Sequence, residues 1–253
     1  MTSSKIFSGV LLCVAAGSVS AAEVTALSGL DYSLGSYGNA VKTSITAVPL
    51  IAKYSDGPLV LKVSTAMIQM TSPGGVIAGG DGNFAIGSTN TNKRTVSGFG
   101  DLIVGSSYTV HEGNGWLVDI TGKIKLPTGE KDKGLSTGKT DYTALVDVYK
   151  SIQKVTVNVG GGYKWVGDPA GVNFRNVYLW NGGVSTNLSD AVRVGMSLDY
   201  AQSVVTGLKP RQELMAYMLR QLEGGWKLQV YGSAGLNNNS PDVGAGVVLG
   251  YNY

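Results

Sequence analysis

The stretch Lys154-Val155-Thr156-Val157-Asn158-Val159-Gly160-Gly161-Gly162-Tyr163-Lys164-Trp165 decides the fold. Val155, Val157, Val159, Gly161, Tyr163 and Trp165 alternate with Lys154, Thr156, Asn158, Gly160, Gly162 and Lys164. Successive side chains of a strand point to opposite faces, so this is a β-strand with one apolar and one polar face. The alternation recurs on both sides of it. Trp116, Val118, Ile120, Ile124 and Leu126 are separated by Leu117, Asp119, Thr121, Lys123 and Lys125; Val192, Val194, Met196, Leu198 and Tyr200 are separated by Arg193, Gly195, Ser197 and Asp199. Trp226, Leu228 and Val230 alternate with Lys227, Gln229 and Tyr231, and Val243, Ala245, Val247, Leu249, Tyr251 and Tyr253 repeat the period. Each stretch is about ten residues, the length of a tilted strand that crosses a bilayer.

Between these stretches the connections alternate in length. Short turns fall at Ser55 to Pro58, Glu112 to Gly115, around Ser151-Ile152, at Asn187 to Asp190 and at Glu223 to Gly225. Longer polar loops fall at Tyr37 to Val41, Thr71 to Gly98, Thr128 to Thr140, Gly167 to Phe174, Ser203 to Arg211 and Asn237 to Asp242. About twelve strands fit between them, with both termini on the short-turn side. The fold expected is therefore all-β, a transmembrane antiparallel up-and-down barrel. A soluble sandwich would bury the apolar face instead. Against it, aromatic residues gather at strand ends: Tyr54, Tyr108, Trp116, Tyr149, Trp226 and Tyr253 near the short turns, and Phe99, Tyr142, Tyr163, Trp165, Phe174 and Tyr178 near the loops. Two such belts mark the two water interfaces of a membrane barrel.

Composition agrees. The 253 residues include 37 glycines and 13 tyrosines, and charged residues are 15% of the chain against a usual ~25%. Mean hydropathy is only +0.09, and no window holds the 18 or more apolar residues of a membrane-spanning helix. The net charge of +3 is spread over scattered Lys and Arg, which excludes a nucleic-acid partner. At the start, Lys5 provides a positive n-region, Ile6 to Gly17 an apolar h-region and Val19-Ser20-Ala21-Ala22 a small-residue cleavage site. Residues 1–22 are thus expected to be a secretory signal peptide and 23–253 the barrel. Cys13, the only cysteine, leaves with the signal. The mature chain would then hold no disulfide and no cysteine-based metal site.

From Gly98 onward the chain resembles the outer-membrane barrel family described as the putative MetA-pathway of phenol degradation. Three segments carry the likeness: Gly98-Phe99-Gly100-Asp101 opens a strand, Leu126-Pro127-Thr128-Gly129-Glu130 closes one, and Gly138-Lys139-Thr140-Asp141 follows. The resemblance implies a transporter-like barrel and a class of activity, with no particular substrate. Gly98 and Gly100 are read as the bend where a strand leaves a loop. Pro127 ends ladder pairing, and Thr128 and Gly129 complete a rim turn. Leu249, Tyr251 and Tyr253 look like the aromatic-ended signal that the barrel assembly machinery reads.

About twelve strands leave a narrow lumen that side chains can constrict. Alternation places Lys53, Lys62, Asp101, Asp119, Lys123, Lys125, Asp141, Asp147, Lys154, Lys164, Arg193, Asp199, Arg220 and Lys227 inward. Nine of these are basic and five acidic, a lining that favours small anionic solutes, carboxylated aromatics among them. The loop Thr71 to Gly98 is the only one long enough to fold inward as a constriction. The expected function is passive uptake of small solutes across the outer membrane of a Gram-negative bacterium, with outer-membrane lipid, the assembly machinery and the solute as partners. Two alternatives stand beside it: a structural or adhesive barrel without a conducting pore, and an outer-membrane lipid hydrolase. The latter needs a nucleophile and base near the outside. The single histidine, His111, falls at the short-turn end, where alternation points it inward. No catalytic residue, cofactor or metal is expected, and none of Asp81, Glu130, Asp132 and Asp168 has calcium-loop spacing.

Overall fold

A computed structural model describes residues 22–79, 82–169 and 173–253. Of the expected signal peptide it describes only Ala22 and the backbone of two three-residue strands, Ser3–Lys5 and Val14–Ala16, paired antiparallel. Cys13, Asp81 and the expected cleavage after Ala21 or Ala22 lie outside the described residues.

The chain from Glu23 onward forms one closed sheet. Its strands begin with β1 (Glu23–Gly35), β2 (Thr43–Asp56) and β3 (Leu59–Ser72); a small hairpin of β4 (Val76–Gly79) and β5 (Gly82–Ala85) follows as a separate two-stranded sheet. The wall resumes with β6 (Arg94–Phe99), β7 (Leu102–Gly113), β8 (Trp116–Leu126), β9 (Asp141–Ile152) and β10 (Val155–Trp165). It ends with β11 (Val177–Asn187), β12 (Val192–Ala201), β13 (Arg211–Gln221), β14 (Trp226–Gly235) and β15 (Val243–Asn252). Each strand pairs antiparallel with its neighbours, and β15 pairs with β1 from Val243↔Leu34 to Asn252↔Thr25, which closes the barrel. β6 and β7 are one wall strand broken at Gly100-Asp101, since both pair with β3. The wall therefore has the twelve strands that the alternation predicts. Closure leaves no sheet edge, the condition under which strands can cross lipid.

Burial is inverted relative to a soluble sandwich. Val104, Ile120, Ile124, Val146, Val157, Val159, Val184, Leu214, Val247 and Leu249 are exposed on the outside, while Asp101, Asp119, Asp147, Asn158, Asn181, Ser185 and Gln229 are buried inside. Only a bilayer satisfies such an exterior. Tyr108, Trp116, Trp226 and Tyr253 at one end, and Phe99, Tyr142, Trp165 and Tyr178 at the other, are exposed on the outer face. Tyr149 and Phe174 do not join these belts. Tyr149 lies opposite inward-facing Leu117 and is 2% exposed, and Phe174 is buried under the loops.

The wall carries glycine where a neighbouring side chain must lie flat. Tyr217 and Tyr231 face each other across β13 and β14, and each folds away over a glycine, Gly195 on β12 and Gly246 on β15. A Cβ at either glycine would run into the ring. Leu27 and Val248 complete this apolar side of the lumen.

Candidate functional site

The loop between β3 and β6 enters the barrel. Gly74, Gly75, Gly82 and Gly87 have φ of 100°, 75°, 103° and 81°, backbone that L side chains avoid and glycine permits. They turn the chain inward, around a hairpin and out again. One face of the hairpin, Val76, Ala78 and Ala85, packs on Ile45 of β2, on Ile68 and Met70 of β3, and on Tyr37 and Leu135 from the neighbouring loops. The other face, Ile77, Phe84 and Ile86, packs on Phe174, Val177 and Val204 of the opposite side; the Phe84 and Phe174 rings meet edge-on with centroids 5.9 Å apart. Ala78 donates its N–H to the Gly134 carbonyl at 3.0 Å, and Ser88 N–H donates to Asn39 Oδ1 at 2.9 Å. The hairpin thus spans the lumen from wall to wall. Burial beneath it pushes the Tyr37 phenol up to about 12.

A cavity on one side of the hairpin is lined by Phe84, Val177 and Leu179 on its apolar side and by Lys123, Lys164 and Arg211 on its basic side. Another beside it is lined by Asp31, Asp199, Glu213, Met215 and Tyr231. Gly82, Asn83, Asp199 and Arg211 border both. A Cβ on Gly82 would stand 3.0 Å from Arg211 Nη1, and the same nitrogen is 3.2 Å from Glu213 Oε1. Tyr231 donates its hydroxyl proton to Asp31, and Ser197 donates to Asp199 at 3.1 Å. The arrangement can hold a solute with an apolar body and an anionic group beside the hairpin tip.

Most residues expected inward do face inward. Lys53 and Lys62 stand opposite each other on β2 and β3. Thr109 donates to Asp119 at 2.6 Å, while Asn158 donates to Asn181 and Asn181 in turn to Asp147, at 2.9 and 3.1 Å. Arg193 donates to Asn187 at 2.7 Å, and Lys227 lies 3.4 Å from Glu23. Three placements differ from expectation. Lys154 sits in the turn before β10, exposed. Arg220 pairs with Val192 and Leu228 and so shares their outward face. His111 also faces outward: the register of β7 shifts between Val118 and Asp119, leaving Val110 unopposed and His111 across from outward Val118. One extra residue on one strand reverses every later side chain.

The three motif segments meet at one buried cluster. Lys125 Nζ lies 2.8 Å from Asp101 Oδ2, 3.4 Å from Asp141 Oδ2 and 3.0 Å from Thr137 Oγ1, and Lys164 Nζ lies 3.2 Å from the same Asp141 oxygen. Gly129 N–H donates to Asp101 Oδ1 at 3.0 Å, Leu102 N–H donates to Thr128 Oγ1 at 2.8 Å, and Gly167 N–H donates to Asp141 Oδ1 at 3.1 Å. Pro127 follows the last residue of β8. Gly98, the second-to-last residue of β6, and Gly129 have ordinary φ; a Cβ at either would strike a neighbour. At Gly98 that neighbour is the Glu130 side chain, and at Gly129 it is the backbone of Gly100 and Asp101. Close packing, not a special turn, explains them. At the other end Leu249 and Tyr251 face outward, Tyr251 lies between the Trp226 and Tyr253 rings at 4.9 Å from each, and Tyr253 N–H donates to the Val24 carbonyl at 2.9 Å.

Alternation along the chain places Tyr231 inward with Lys227 and Gln229 but does not single out Arg211, Glu213 or Asp31. Arg211 falls where the sequence reads as loop, and β13 is apolar on both faces, so neither Arg211 nor Glu213 advertises itself.

An apolar exterior, a charged interior and twelve antiparallel strands define an outer-membrane β-barrel. Residues 69–253 match the model of the family described as "Putative MetA-pathway of phenol degradation", and the chain belongs to that family. Among solved structures, the COG4313 outer membrane channel from Pseudomonas putida F1 is similar with a TM-score of 0.64 at 14% identity, over 94% of this chain and 97% of that one. The KdgM porin in complex with disordered oligogalacturonate aligns with a TM-score of 0.55 at 10% identity, over 90% and 98% of the two chains. The translocator domain of the autotransporter NalP from Neisseria meningitidis aligns at 0.53 and 14%, over 91% and 88%. No curated protein matches the chain in sequence.

Proposed function

We propose that the protein is an outer-membrane channel of a Gram-negative bacterium that admits small solutes passively, with a preference for compounds that join an anionic group to an apolar or aromatic body. One observation carries this: the cavity beside the hairpin sets Lys123, Lys164 and Arg211 against Phe84, Val177 and Leu179. Ligand sites of this kind bury an apolar body and orient it with a few placed polar groups. Basic groups lining a narrow path favour anions over cations. The family membership and the fold shared with the COG4313 channel and the KdgM porin support a conducting role. The hairpin that crosses the lumen supports the rival reading, a barrel that conducts nothing.

Swelling of proteoliposomes separates the two. Liposomes holding the purified barrel are expected to swell in isosmotic sodium benzoate and more slowly in a matched organic cation salt. Liposomes that stay inert in both would favour the non-conducting barrel.

A further inference from the structure

Strand register sorts the charges of the lumen into two rows. Lys53 of β2 stands opposite Lys62 of β3, Lys62 opposite Gly105 of β7, and Gly105 opposite Lys123 of β8. From Lys123 the same line passes through Thr143 of β9 to Lys164 of β10. All six positions are on the inward face. Prolonged past its ends the line meets Thr25 of β1 and Val177 of β11, so no carboxylate falls on it. A second line joins Asp119 of β8 to Asp147 of β9, then runs through Gly160 and Asn181 to Asp199 of β12 and Glu213 of β13. It carries carboxylates and no basic group. Between the two lies a neutral line of Thr121, Leu145, Gly162 and Leu179.

The basic row also climbs. Lys53 and Lys62 lie beside the short turn between β2 and β3, Lys123 lies well along β8, and Lys164 is the next-to-last residue of β10, at the loop end. Barrel strands tilt by ~40° and stand ~4.8 Å apart, so a line square to them rises by ~3 Å per strand. The five steps from β2 to β10 give a rise of ~15 Å, about half the hydrocarbon thickness. At its upper end is the cavity that Lys123 and Lys164 line, and at its lower end the short-turn mouth. Lys62, Lys123 and Lys164 follow one another at intervals of two strands, ~10 Å, close to the ~8 Å Debye length at physiological ionic strength. The fields of successive lysines therefore overlap, and each flexible four-carbon stem lets its ammonium move toward the next. Lys164 also bonds Asp141 at 3.2 Å, and a carboxylate passing it competes with that one. Lys53, Lys62 and Lys123 have interactions of their own within the protein, for which a passing carboxylate exchanges.

We propose that the basic row is the path of the solute's anionic group from the cavity to the short-turn mouth, handed from Lys164 and Lys123 to Lys62 and then Lys53. The proposal rests on the reading of the barrel as an anion-preferring channel and deepens it. The substrate class is an apolar or aromatic carboxylate whose charge keeps to one side of the lumen, because the acidic row repels it from the other. Selectivity then resides in where the charges stand, not in their sum.

Gly105→Asp puts a carboxylate into the row between Lys62 and Lys123. A Cβ there meets Lys123 Cγ at 3.5 Å and the Gly122 carbonyl at 3.6 Å, ordinary contact, and Gly105→Asn is the neutral control of the same size. Gln229→Glu adds the same charge at a buried position of β14 that lies on neither row. Lys53→Gln with Lys62→Gln removes two charges from the row, and Arg193→Gln with Lys227→Gln removes two from elsewhere in the lumen. The measurement is the benzoate-to-sodium permeability ratio, taken from the reversal potential of the purified barrel in planar bilayers under a sodium benzoate gradient. Gly105→Asp and the Lys53/Lys62 pair are expected to lower the ratio about tenfold, the effect of a unit charge at ~10 Å with an effective dielectric constant of ~20. The remaining variants should stay near wild type. Equal effects from changes on and off the row would overturn the path and leave selectivity to the summed charge of the lumen. A wild type that is silent, or that conducts without favouring benzoate, would refute the anion-channel reading itself, and the path with it.

Discussion

Lys125 reaches across from β8 to Asp101, ammonium to carboxylate at 2.8 Å, with both side chains almost completely buried. Asp101 sits at the break between β6 and β7 and also accepts from Gly129 in the loop after β8. The pair therefore joins a wall strand to the loop rim, and Asp141 and Lys164 extend it across β9 and β10. Removing one partner of such a buried pair leaves a charge without compensation, which costs ~3–5 kcal/mol. Lys125→Met should lose stability of that order in urea unfolding followed by tryptophan fluorescence. Lys125→Met combined with Asp101→Asn should lose less than Lys125→Met alone, because the stranded carboxylate is gone. Equal losses in the two variants would mean that the pair is not coupled.

The hairpin β4–β5 bridges opposite sides of the lumen. Replacing residues 76–86 with a short Gly-Ser link should raise single-channel conductance severalfold, since an empty barrel of about twelve strands leaves an open lumen. Unchanged conductance would place the narrowest point elsewhere.

Tyr231 lies flat on the wall because Gly246 leaves room for its ring. Gly246→Val should push the ring into the lumen, lowering conductance and destabilising the barrel by ~1–3 kcal/mol, the usual cost of overpacking. Gly122, on the lipid face of β8, is the control: a Cβ there would meet nothing within 4 Å, so Gly122→Val should change neither. The contrast is read from conductance and urea midpoint together.

At the loop end, Lys42 and Asp242 clasp two loops at 2.8 Å, and Ser36 N–H donates to the same carboxylate at 3.4 Å. The Lys42 bond, with help from Ser36, holds the Asp242 carboxyl below its ordinary value. A carboxylate with a lowered folded pKa stabilises above the ordinary value, and that stabilisation is lost as pH falls through the lowered one. Amide exchange of the 36–42 loop should thus stay slow at neutral pH and quicken only below the usual carboxylate range. Lys42→Gln should move the onset up toward that range.

The barrel was legible because its walls are written in period two: β8, β10, β12 and β14 each place Lys, Asp, Asn or Arg on one face and apolar residues on the other. Where that signal fades, so does the placement. In β13, Met215, Tyr217 and Leu219 face in while Leu214, Ala216 and Met218 face out, so nothing in the pattern assigns Arg220 to the outside or Glu213 to the lumen. His111 is lost to a single bulge, which leaves no mark in composition. Tyr149 was readable, since it shares a parity with inward Asp147. The meeting of Asp101, Lys125 and Asp141 depends on register across three strands, which spacing along the chain does not reveal. The inward course of the loop Thr71 to Gly98 was suggested by its length, but its anchorage to both sides was not.

Planar-bilayer recording of the purified barrel under a salt gradient tests the central claim most directly, with wild type and Lys123→Glu compared. A conducting, basic-lined lumen predicts discrete small conductance steps, a reversal potential on the anion-selective side, and a shift toward cations in Lys123→Glu. Silent bilayers for the wild type, or a reversal potential that Lys123→Glu leaves in place, would contradict it.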